Sequence, residues 1–131
     1  MSRVNELFEA AKSAREKSYS PYSKFAVGAA LIDEQGRIHT GCNIENAAYP
    51  EGCCAEAIAI GHLVMAGGKR VREALVVADA DLATPCGGCR QKLLEFGDAN
   101  VRVHVADLNG VRRDFTIGSL LPAGFILKEN D

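Results

Sequence analysis

Apolar residues recur at Val4, Leu7, Phe8, Ala11 and Ala14 with charged residues between them, and this period predicts an amphipathic first helix over residues 3–18. Pro21 in "SYSPYSK" marks the break after it. The pattern then turns strand-like in "FAVGAALID" and "RIHTGCNIE". The intervening "EQG" has hairpin length, and its Gly36 can take a positive φ. A second helix is expected over residues 53–66, stopped at Gly67 and Gly68. "EALVVADA" is nearly all apolar, the mark of a strand buried on both faces. "TPCGGCRQKLLEFG" reads as a third helix with Thr84 as its N-cap and Pro85 at the first helical position. Strands at "VRVHVAD" and "VRRDF" flank a turn at "LNG", and the tail has room for one short helical turn. Helices alternating with strands after an opening hairpin predict an α/β sandwich on a mixed sheet.

Composition narrows the class. A chain of 131 residues, 47% of them hydrophobic, suits one domain spanning 1–131. A net charge of -2 without a basic run disfavours a nucleic acid polymer as partner. Charges at Arg3, Glu6, Glu9, Lys12 and Arg15 break up the N-terminal segment, so no signal peptide is expected there. No apolar stretch approaches the roughly 18 residues of a membrane span. A cytoplasmic protein is the expectation, and an odd count of 5 cysteines then points to free thiols or a metal rather than to disulfides.

The chemistry concentrates in two places. Cys86 and Cys89, in "PCGGC", are three apart at a predicted helix N-terminus, which brings both thiols to one side of the first turn. Such a pair serves equally as a redox couple or as half of a metal site, and a cysteine in an apolar helix can also be plain core. Upstream, "CAE" adds a third thiol, Cys54, and a carboxylate, Glu56, at another helix start. Three protein ligands leave the fourth position of a tetrahedral zinc open to water, where a fourth would close it. The set resembles the zinc nucleobase deaminases, in which a His or Cys precedes a non-ligating Glu and a later P-C-x-x-C completes the site.

The likeness runs further. "SPYSKFAVGAAL", "TGCNIENAAYPEGCCAE", "PCGGCRQ" and "LLPAGF", in that order, resemble the small homotetrameric cytidine deaminases from Ser20 to Phe125. The resemblance implies a three-layer α/β/α sandwich around a five-stranded mixed sheet and one zinc per subunit. It also implies an active site shared between neighbouring subunits, and hydrolysis of cytidine or deoxycytidine to the uridine product and ammonia in pyrimidine salvage. It assigns zinc to Cys54, Cys86 and Cys89, and proton transfer to Glu56. Asn43 and Glu45 fall to the ribose 3'-hydroxyl, Phe25 to the pyrimidine face, the Ala55 amide to the base O2 and the Thr84 carbonyl to the leaving amine. Tyr49 and Phe125 match aromatic positions that approach a neighbouring subunit's site.

Each assignment has a plainer rival. Phe25 opens an apolar run and by pattern alone belongs to the core. Asn43 and Glu45 alternate along a strand end as a solvated face would, Tyr49 before Pro50 fits a loop anchor, and Phe125 fits subunit packing. His39, His62 and His104 lack ligand spacing to the cysteines, and Cys42 and Cys53 read as small buried hydrophobes. The chain also departs from the family it resembles: where that family commonly has Arg directly after "CAE", donating to the zinc-bound sulfurs, this chain has Ala57. Three thiolates leave a zinc centre negative, so another donor is expected, and Arg90 beside Cys89 is the nearest in sequence. Two alternatives stand beside the cytidine reading: a deaminase of another cytosine nucleoside such as blasticidin S, and a non-catalytic zinc-binding domain of the same fold.

Overall fold

The computed structural model describes residues 3–127. The first helix, α1 (Val4–Arg15), buries Leu7 and Ala11 on its apolar stripe. Strands β1 (Val27–Asp33) and β2 (Ile38–Cys42) form the antiparallel hairpin, with Gly36 at φ 82° in the turn. A single 3-10 turn, Tyr49–Glu51, leads to α2 (Ala55–Met65). Then come β3 (Val71–Ala78), α3 (Gly87–Phe96), β4 (Arg102–Asp107), β5 (Gly110–Thr116) and the one-turn α4 (Ile117–Leu120).

The five strands make one sheet in the order β2-β1-β3-β4-β5. Only β3 and β4 are parallel, as they must be if α3 is to cross between them. Alternate side chains of the central strands feed two cores. Ala29, Leu31, Val76, Val103 and Val105 pack with Ala59 and Leu63 of α2 and Leu93 of α3. Ala30, Ile32, Leu75, Val77 and Ala106 pack under Leu7 and Ala11 of α1. Burial on both faces explains the near-continuous apolar run of β3 and gives the three layers.

Several boundaries move, each for a local reason. Phe25 is outside β1, because the chain turns at Lys24 with φ 61° and the ladder starts only at Val27. Cys53 is not helical: its backbone exchanges two hydrogen bonds with Ile44, at 2.8 and 2.9 Å, and α2 begins beyond it. Cys53 is exposed and Cys42 half-buried, so neither is the buried hydrophobe expected. Thr84 is not the N-cap of α3. Cys86 takes that place with φ -67° and ψ 168°, and the Thr84 hydroxyl accepts from Arg90 Nη2 at 3.0 Å instead.

Close backbone approach fixes the layers. A Cβ on Gly41 of β2 would lie 2.3 Å from the Ala55 carbonyl oxygen and 2.6 Å from the Ala59 amide, so glycine is what lets α2 seat on the sheet. Gly28 of β1 does the same for α1, where a Cβ would meet the Ala11 carbonyl oxygen at 2.0 Å.

Candidate active site and metal centre

The N-termini of α2 and α3 meet at one end of the sheet. Cys54 and Cys86 are the N-cap residues of the two helices, and Cys89 lies in the first turn of α3. The Cys54 thiol accepts no capping hydrogen bond, which leaves its sulfur free for other partners. The sulfurs of Cys54, Cys86 and Cys89 all lie within 4.8 Å of one another, and those of Cys54 and Cys86 are 3.8 Å apart. Two sulfurs bound tetrahedrally to zinc at about 2.3 Å would be separated by about 3.8 Å, so the spacing fits that ion.

The electrostatics agree. Burial pushes the Cys89 thiol well above its ordinary range, and the Glu56 carboxylate and neighbouring sulfurs push the same way. Burial also raises Cys54. For Cys86 burial works upward too, but hydrogen bonds from the Cys89 amide and the neighbouring thiols prevail and lower it. Three thiols crowded beside a carboxyl are poor company for one another as anions. A dication resolves that conflict, since a coordinating thiol is deprotonated outright. The donor set is all sulfur, which suits zinc and not magnesium or calcium.

Glu56 occupies the second position of α2, two residues past Cys54, and is 5% exposed. Burial holds its carboxyl above the ordinary carboxylate range, against a hydrogen bond from its own amide and the charge of Lys92. It makes no fourth ligand in the sulfur cluster.

A cavity of about 370 Å³ opens on this centre, lined by Glu56, Cys54, Cys86 and Ala55 at its base and by Phe25, Asn43, Glu45, Tyr49 and Thr84 around its wall and mouth. The Ala55 amide is the first of α2 and so has no carbonyl partner inside the helix. Phe25 is 40% exposed on the wall rather than buried in the core. The Asn43 carbonyl oxygen accepts from the Val27 amide at 2.9 Å and from the Ser18 hydroxyl, while its amide donates to the Phe25 carbonyl at 2.8 Å. Glu45 accepts from the Tyr22 and Ser23 amides at 3.0 and 3.1 Å and from the Ser23 hydroxyl. These bonds hold its carboxyl below the usual range. Ser18, Tyr22 and Ser23 were not expected in this role; the serine and proline punctuation of "SYSPYS" marked only a break.

Two expected residues fall elsewhere. Phe125 is 70% exposed beyond α4, where its backbone amide and carbonyl pair with the Gln91 side chain at 3.1 and 2.8 Å, and it does not line the cavity of its own chain. Arg90 is not a thiol donor. Its guanidinium donates to the Pro85 carbonyl at 2.7 Å, the Leu120 carbonyl at 2.9 Å and the Thr84 hydroxyl, bracing the segment before α3 against α4. The three histidines keep structural partners: His39 on Asp33, His62 on the Thr40 carbonyl, and His104 between Glu73 and Asp114.

An α/β/α sandwich that presents a three-thiol centre and a buried glutamate at paired helix N-termini defines the zinc-dependent nucleobase deaminase class. Residues 1–105 match the family model described as "Cytidine and deoxycytidylate deaminase zinc-binding region", and the chain belongs to that family. It is 44% identical over 123 residues to the cytidine deaminase of Sporosarcina psychrophila, covering 93% of this chain and 90% of that protein. The cytidine deaminase of Halalkalibacterium halodurans is 40% identical over 124 residues, 94% of each chain. Among solved structures, cytidine deaminase from Burkholderia pseudomallei superposes with a TM-score of 0.89 at 41% identity, covering 95% of this chain and 100% of that one.

Proposed function

We propose that the chain catalyses the hydrolytic deamination of cytidine and deoxycytidine to uridine and deoxyuridine with release of ammonia. The observation that carries this reading is Glu56, a buried carboxyl beside three thiols at the base of a nucleoside-sized cavity. Zinc, held by Cys54, Cys86 and Cys89, supplies the Lewis acidity that makes hydroxide available from water near neutral pH. The chain supplies the rest. Glu56 takes a proton from the attacking water and delivers it to ring N3 as the water oxygen bonds to C4. It then moves the remaining hydroxyl proton to the 4-amino nitrogen, the C4–N bond breaks, and a C4 carbonyl and ammonia result. A carboxyl raised by burial is suited to this, since it must accept and return a proton near neutral pH.

The wall orients the substrate. Phe25 lies against the pyrimidine, the Ala55 amide meets O2, and the Thr84 carbonyl takes the amine. Asn43 keeps a second amide proton and Glu45 keeps acceptor lone pairs, so together they suit the 3'-hydroxyl, which both donates and accepts. Among the described residues no lysine or arginine lines this cavity or the adjoining one at Tyr22, Ser23 and Tyr49, whereas Glu45 borders both. That favours a neutral nucleoside over its 5'-phosphate.

Exposed Tyr49 and Phe125, together with Ile126 and Leu127, support a homotetramer in which Tyr49 and Phe125 serve neighbouring sites. A cytoplasmic place in pyrimidine salvage agrees with the absence, among the described residues, of any helix long and apolar enough to cross a membrane. The test follows ammonia release from cytidine, deoxycytidine, deoxycytidylate, cytosine and adenosine. Release from the two nucleosides alone is expected, and Glu56→Gln should lower it by roughly 10²- to 10⁴-fold with zinc retained. A zinc-loaded chain inert toward all five would overturn this reading and leave the two alternatives.

A further inference from the structure

Three thiolates outweigh the charge of a zinc dication, and Glu56 brings another acidic group alongside, so zinc retention and water ionisation both benefit from a cation nearby. Arg90 does not face the sulfurs, because its hydrogen bonds run to Pro85, Leu120 and Thr84. Ala57 has no donor to offer. Lys92 is placed differently. It stands three residues past Cys89 on α3, and its side chain folds back along the helix, as long helical side chains do, until Nζ lies 3.6 Å from where a Cβ on Gly88 would sit. Gly88 lies between the two α3 cysteines in the first turn. A helix N-terminus repels a cation, so an ammonium resting there has an anionic neighbour to hold it. The Cys86 and Cys89 thiols flank that same turn. Among the described residues no carboxylate forms a salt bridge with Lys92 that would divert its charge.

We propose that the Lys92 ammonium is the positive charge that offsets the three-thiolate centre in this chain, in the part that an arginine at position 57 would play. The inference rests on the zinc reading above. Lys92 touches neither substrate nor metal and acts as a tuning residue through the field at the first turn of α3.

The experiment measures zinc content as purified, zinc loss to a competing chelator, and melting temperature for the intact protein, Lys92→Met, Lys92→Arg, and Lys92→Met combined with Ala57→Arg. Because Lys92 is exposed, the melting temperature of the metal-free variants should match that of the metal-free parent. Lys92→Met should lose zinc about three- to tenfold faster, the range between a screened surface charge and a direct partner of a ligand. Lys92→Arg should stay within about twofold of the parent, and Ala57→Arg should recover most of the loss. Equal retention in Lys92→Met, or equally fast loss in Lys92→Arg, would overturn the proposal while leaving the zinc site intact. A parent protein that binds no zinc would overturn the site assignment itself.

Discussion

Arg90 and Lys92 sit two residues apart on α3 and have different tasks. The guanidinium of Arg90 ties three oxygens from two segments into one brace, while the ammonium of Lys92 lies over the helix start. Arg90→Ala should therefore act on stability first. Losing charge-assisted bonds to Pro85 and Leu120 should cost about 2 kcal/mol, read as a lowered denaturation midpoint. Zinc loss should change less than in Lys92→Met, and the reverse order would contradict the assigned roles. The resemblance to the zinc deaminase signature placed Cys54, Glu56, Cys86 and Cys89 together, and the three sulfurs do meet. Closeness in sequence to Cys89 chose Arg90, because neighbours in sequence look like neighbours in space. Leu120, thirty residues away, is what draws Arg90 off, and no local pattern announces that contact.

At the scale of elements, the site depends on how α2 seats on the sheet. Gly41→Ala would drive a methyl into the Ala55 carbonyl and the Ala59 amide, and the helix that carries Glu56 would have to move. A loss of about 1–3 kcal/mol is expected, together with a larger fractional loss of turnover than of stability. Gly28→Ala displaces α1 on the other face and should cost stability with the chemistry better preserved; matched activity losses in the two variants would refute this geometry. The β1–β2 turn has its own clamp. Asp33 is buried, which by itself raises its carboxyl, but bonds from His39, the Arg37 and Gln35 amides and the Arg37 guanidinium outweigh burial and hold it far below the ordinary range. A carboxyl lowered by folding stabilises the fold above its unfolded value of about 3.9 and loses that contribution as pH falls toward its folded value. Denaturation midpoints should thus drop below about pH 4 in the parent, with less of a drop in Asp33→Asn. At neutral pH that variant should be weaker by about 3 kcal/mol, since it leaves Arg37 and His39 without their carboxylate. The hairpin itself was legible from alternation and Gly36, but its charged clamp was not, since it joins residues on both strands through burial.

On the scale of the whole molecule, the two metal-bearing helices belong to different parts of the chain path. Cys54 follows the hairpin, whereas Cys86 and Cys89 follow β3, 32 residues later. An unfolded chain keeps the C-x-x-C pair close whatever its shape, but it has no means of holding Cys54 beside them. The third thiolate therefore makes zinc a ligand chiefly of the native state, and mass action turns that preference into stability: a site a hundredfold saturated adds about 2.7 kcal/mol. Stripping the metal should lower the melting temperature, and Cys54→Ala should abolish most of the difference between loaded and stripped protein while the local pair still binds weakly. A melting point indifferent to the chelator would show that the unfolded chain holds zinc as well as the folded one. A sulfur needed for chemistry thus also reports on assembly, since the ion can be fully held only by a chain whose sheet has already closed.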